Sequence, residues 1–79
     1  MKKWELNHDG NTIRVENSMI CGEKLFVNGE LQDEQVGVFA LRSRLWGRLA
    51  TGETIKVSLG GNLRVHCRIF INDKLVLSK

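Results

Sequence analysis

The densest group of chemistry-bearing side chains in this 79-residue chain is the run L-R-S-R-L-W-G-R at residues 41–48. On an extended strand, alternate residues share a face. Arg42, Arg44, Trp46 and Arg48 would then set guanidinium groups around one indole. Guanidinium groups neutralise phosphates and a ring stacks on a base, which is what a platform for single-stranded nucleic acid needs. Arg64 and Arg68 could extend it. On a helix the same residues would scatter. The competing reading is a solvated strand with the Trp46 ring lying under arginine stems, held by cation–π contact.

A second group is apolar. Residues 24–31 read K-L-F-V-N-G-E-L and residues 68–75 read R-I-F-I-N-D-K-L. Across a two-residue turn, Phe26 would pair with Leu31 and Phe70 with Leu75. Each Phe lies opposite the aliphatic face of its own strand. The hairpins are therefore either buried on both sides, the preferred reading, or they expose a Phe-Leu patch for a protein partner or self-association.

Nothing else in the chain has the spacing of a reaction centre. His66 and Cys67 are neighbours, so on a strand they point to opposite faces and cannot share a ligand or a proton. His8, Cys21, His66 and Cys67 match no zinc pattern. The cysteines read most simply as small buried hydrophobes. Asp9, Asp33, Glu34 and Asp73 sit mostly at turns or in solvated positions, and no carboxylate pair stands out. There is no P-loop, nucleophile elbow or dinucleotide fingerprint. The expectation is a protein that is not an enzyme, with no cofactor and no metal.

Composition agrees with a small globular domain. The chain is 42% hydrophobic and 27% charged, with a net charge of +3. A pI near 9.2 is mildly basic, less than a dedicated nucleic-acid binder of this size usually carries. No apolar run approaches membrane-spanning length. The start, M-K-K-W-E-L-N-H-D, turns polar at once and lacks the apolar stretch of a secretory leader, so a cytoplasmic location is expected.

The elements that would position these residues are short strands. Period-two alternation dominates, with no proline and with glycines at the breaks. Trp4–Asn7, Thr12–Val15, Lys24–Val27, Glu30–Gln32, Thr54–Leu59, Leu63–Ile71 and Lys74–Leu77 read as strands. His8–Asn11, Asn28-Gly29, Gly60-Gly61 and Asn72-Asp73 read as turns, and 17–22 as a loop. Ile13 and Val15 share one face, as do Ile55, Val57 and Leu59. Residues 33–49 are ambiguous. Leu41, Leu45 and Leu49 recur at helical spacing, whereas Val36, Val38 and Ala40 recur at strand spacing. The all-β surroundings favour strands.

The chain also repeats itself. Trp4 and Trp46 each precede a glycine by six residues (Gly10, Gly52), and Thr-Ile-Arg-Val (12–15) answers Thr-Ile-Lys-Val (54–57). The two units span 4–32 and 46–77. This matching equates Trp46 with Trp4 and favours a core place for both rings. One domain, residues 1–79, is expected: an antiparallel sandwich or flattened barrel of about seven or eight short strands. Its two halves would be pseudo-symmetric, each unable to bury its apolar face alone.

Trp4, Gly10, Thr12-Ile13-Arg14-Val15-Glu16, Gly22, Leu25-Phe26-Val27-Asn28-Gly29, then Gly52, Thr54-Ile55-Lys56-Val57 and Phe70-Ile71-Asn72-Asp73-Lys74-Leu75, follow an order that resembles the Fas apoptotic inhibitory molecule family. Residues 33–49 depart from that pattern. The resemblance implies an antiparallel β domain without catalysis and transfers no functional residue. The leading expectation is a small non-catalytic binding or protein-interaction module. The alternative is a weak nucleic-acid binder using Arg42, Arg44, Trp46 and Arg48, with Arg64 and Arg68.

Overall fold

Three of the hairpin turns are dictated by two-residue words. Asp9-Gly10, Asn28-Gly29 and Asn72-Asp73 all have positive φ, from 49° at Asp9 to 82° at Gly29. That is the signature of the type I′ turn, whose twist matches the strands it joins. In the computed structural model, residues 1–18, 22–36, 42–61 and 64–79 are described, with Arg42 and Ser43 described by backbone alone. Eight strands run in order: β1 (Lys2–His8), β2 (Asn11–Ser18), β3 (Gly22–Val27), β4 (Glu30–Gln35), β5 (Arg42–Arg48), β6 (Thr54–Gly60), β7 (His66–Ile71) and β8 (Lys74–Ser78). β1–β4 form one antiparallel sheet and β5–β8 a second, each in chain order. No helix occurs among the described residues.

The doubled sequence words are hydrogen-bond partners. Asn28 Oδ1 accepts from the Thr12 N–H at 2.9 Å, and Asn72 Oδ1 accepts from the Thr54 N–H at 2.9 Å. The backbone N–H of each Asn donates to the carbonyl of the same Thr. A bulge follows at matching places, between Leu25 and Phe26 and between Ile69 and Phe70.

Inward residues of both sheets form one sandwich core. Trp4, Ile13, Val15, Leu25 and Val27 meet Leu45, Leu49, Ile55, Val57, Leu59, Cys67, Ile69 and Ile71. Burying an aliphatic side chain of this size contributes about 1.5–3 kcal/mol. Gly47 lies on the inner face of β5 between Leu45 and Leu49. A Cβ there would stand 2.9 Å from Gln32 Oε1 and 3.0 Å from Leu25 Cδ2, so its absence lets the two sheets close together.

Three expectations need correction. Trp46 is not equivalent to Trp4. Trp4 faces Val15 and is 8% exposed, whereas Val57 faces Leu45, and Trp46 pairs with Lys56 and is 55% exposed. The cause is the loop. β1–β2 closes in two residues, but Leu49 donates to the Glu53 carbonyl and Gly52 (φ 95°) to the Leu49 carbonyl, which leaves three residues in the β5–β6 loop. One extra residue shifts the pairing by one and turns the other side of the strand outward. Second, β7 begins at His66 rather than Leu63, and Gly60 belongs to β6. Gly61 (φ 139°) is folded against the Arg64 carbonyl, and Gly61, Arg64 and Val65 belong to no strand. Leu63 lies outside the described residues. Third, Ser18 pairs with Gly22 where a loop was expected. Gly22 (φ 82°) is required there because a Cβ would run into the Gln35 carbonyl. The strands favoured over 33–49 are found at 33–35 and 42–48. Leu41, Val38 and Ala40 lie outside the described residues.

Candidate functional site

The outer face of the second sheet is built from two cross-strand rows. One is Arg44–Ser58–Arg68–Ser78. The next is Trp46–Lys56–Phe70–Leu75. Arg48 continues the face, paired with Thr54. The two candidate surfaces that the sequence presents separately therefore share one face: Arg44, Trp46, Arg48 and Arg68 from the first, Phe70 and Leu75 from the second. Arg42, on β5, pairs with Gly60 by backbone register alone. Arg64 is exposed but lies in the β6–β7 connection.

The first sheet supplies an internal comparison. Its rows at matching positions read Lys3–Glu16–Lys24–Glu34 and Glu5–Arg14–Phe26–Leu31. Cations there alternate with carboxylates, and opposite charges on facing strands stabilise a sheet. In the second sheet Glu16 gives way to Ser58, Glu34 to Ser78 and Glu5 to Trp46. None of β5–β8 contains an Asp or a Glu. Among the described residues no carboxylate pairs with Arg44, Arg48, Lys56 or Arg68, whereas Arg14 Nε lies 3.2 Å from Glu16 Oε2. One face is balanced and the other is uniformly cationic.

The phenyl rings answer the question of core against surface with a third arrangement. Phe26 and Phe70 pair with Leu31 and Leu75 as the turns require. Both lie half-buried on the outer faces, each covered by a cation. Arg14 Cζ is 4.7 Å from the Phe26 ring centre, and Lys56 Nζ is 4.6 Å from that of Phe70. Leu31 and Leu75 remain 50% and 49% exposed. Phe26 and Leu31 belong to the balanced face and are not brought to the cationic one.

Side chains of β4 hold the edge strand that carries Trp46. Asp33 Oδ2 accepts from the Trp46 N–H at 2.8 Å, and Gln32 Oε1 accepts from the Arg48 N–H at 2.9 Å. These N–H groups point away from β6, toward what would otherwise be an open edge.

A cleft of about 580 Å³ lies beside the Arg44 row, lined by Arg44, Ser58, Gly60, Gly61, His66 and Arg68. His66 Nε2 and Ser78 Oγ are 2.9 Å apart. Alternation along β7 alone sets His66 on the face of Arg68 and Phe70.

The remaining polar candidates lie elsewhere. His8 Nε2 is 3.2 Å from Glu53 Oε2 and 3.4 Å from Asp9 Oδ2. This ties the β1–β2 turn to the β5–β6 loop and is invisible to local spacing. The Thr51 hydroxyl, with His8, holds the Glu53 carboxyl below its usual value. Cys67 is a free, fully buried thiol, and burial pushes it up to about 12. It faces the core, away from His66. Cys21 lies outside the described residues. No helix of the described residues is long and apolar enough to cross a membrane.

No family model, curated protein or solved structure matches the chain.

Proposed function

We propose that this chain is a non-catalytic binding module whose ligand is single-stranded nucleic acid, held on the outer face of the second sheet. One observation carries the reading. The two sheets repeat the same rows, yet every acid in the first sheet's rows is replaced in the second by Ser or Trp. The change removes counter-charges from Arg44, Lys56 and Arg68 and adds a half-exposed indole. Charge alone would serve any polyanion. An exposed ring among unpaired cations fits a polyanion that carries bases.

The test is a titration of labelled oligothymidylate, followed by anisotropy at low and at moderate salt. Trp46→Ala removes one stacking partner and should weaken binding roughly 5- to 150-fold, the worth of one base–aromatic stack. Arg44→Ala should weaken binding and flatten its salt dependence. Both side chains are exposed, so the circular dichroism spectrum should not change. No binding at low salt refutes the reading.

A protein-partner reading is favoured by a different observation. Leu75 and Val76 are exposed on β8, an edge strand of the second sheet. Light scattering separates the two. A dimer that Leu75→Ser dissolves, with no affinity for the oligonucleotide, would favour this second reading.

A further inference from the structure

The cleft beside the Trp46 row has a chemistry of its own. Arg44 and Arg68 stand on either side of Ser58 in one cross-strand row. Neighbouring strands are about 4.8 Å apart, so the two arginines are close enough to converge over the small serine between them. Neither is paired with a carboxylate among the described residues. His66, paired with Gly60, adds an imidazole at the next row, fixed by Ser78. Gly60 and Gly61 contribute no side chain, which leaves the cleft its volume. Gly61 cannot be replaced cheaply, because its φ of 139° and the adjacent Arg64 carbonyl exclude a Cβ.

Two guanidinium groups and an imidazole, with a hydroxyl and no acid, match a doubly charged oxyanion better than a singly charged one. The cleft also lies against the β6–β7 connection, where the strand face ends. Along β5 it is one row from Trp46, a separation of about 7 Å. This is a span of nucleotide scale, with a base at one end and a phosphate at the other. We propose that the cleft binds a terminal phosphate monoester, the end of the strand whose base stacks on Trp46. The proposal rests on the nucleic-acid reading above and narrows it from a passing strand to a strand end.

The experiment compares one short oligothymidylate in three forms, with a 5′-phosphate, with a 3′-phosphate and with hydroxyls at both ends. Wild type should bind one of the phosphorylated forms roughly tenfold tighter than the hydroxyl form, the worth of one charge-assisted hydrogen bond. Arg68→Ala should weaken all three and bring that ratio to about one. His66→Ala, which leaves the Trp46 row intact, should lower the ratio while sparing the hydroxyl form. Inorganic phosphate should shift the Gly60 and Gly61 amide resonances and leave that of Gly10 in place. Equal affinity for the three forms, still dependent on Trp46, overturns the cleft proposal and leaves the platform reading standing. A preference that survives Arg68→Ala also overturns it. If no form binds at low salt, both readings fall.

Discussion

Ser58→Glu tests the charge argument most directly, because it rebuilds in the second sheet what Glu16 does in the first. Ser58 pairs with Arg44 on one side and Arg68 on the other. Glu16 sits between Lys3 and Lys24 in the same way. If Arg44, Arg48, Lys56 and Arg68 each neutralise one phosphate, log K should fall with log salt at a slope of about −2.8, at about 0.7 per contact for single strands. Between 50 and 200 mM salt that is a loss of about 50-fold. A carboxylate at residue 58 engages both arginines. The slope should drop to about −1.4 and the loss over the same range to about sevenfold. Facing opposite charges add about 0.2–1 kcal/mol to a sheet, so the variant should melt no lower than wild type and lost binding cannot be ascribed to unfolding. Ser58→Gln has the same shape without the charge and should keep the steeper slope. A slope unchanged in Ser58→Glu would show that Arg44 and Arg68 do not touch phosphate.

Further expectations concern the scaffold. Gly47→Val should lower stability by about 1–3 kcal/mol in urea titration, because its side chain meets Gln32 and Leu25. Asn72→Ala should cost more than Asn72→Gly in the same assay. Alanine loses the Thr54 bond and strains a φ of 50°, whereas glycine loses only the bond. Asn28 should repeat that order. Glu53→Gln should flatten the acid limb of melting temperature against pH. The folded carboxyl lies below 4.5, so its stabilisation is complete above that value and is lost as pH falls through the lowered one. In a Cys21→Ser background, Cys67 should resist thiol reagents at pH 8 until denaturant unfolds the chain, since burial holds it protonated.

The hairpins were legible because their turn chemistry is local. Asn-Gly and Asn-Asp need no distant partner to require positive φ, and the Phe26–Leu31 and Phe70–Leu75 pairs follow by counting. The strand faces were legible for the same reason, since alternation groups Ile55, Val57 and Leu59 without any knowledge of the fold. Trp46 was misjudged because alternation states which residues share a face, not which face is outside. Its spacing to Gly52 copies that of Trp4 to Gly10, while the number of loop residues before β6 does not copy. The charge asymmetry was hidden for a different reason. The net charge of +3 is an average over a neutral face and a cationic one. The repeat itself sets Ser58 against Glu16, but only the register shows that these residues lie on the outer faces and that Trp46 stands where Glu5 stands. The His8–Glu53 contact joins residues 45 apart, and nothing near either residue announces the other.

The bonds from Gln32 and Asp33 to β5 have a consequence for the dynamics of the face. Edge strands fray, and a ring mounted on a fraying strand must be ordered each time a ligand arrives. That ordering entropy is subtracted from affinity. Here the outward amides of Trp46 and Arg48 are already held by a neighbouring element, so the indole is presented on a strand fixed in advance. Hydrogen exchange should find those two amides protected despite their place at the sheet's margin. The ligand then meets a surface that is settled before it arrives.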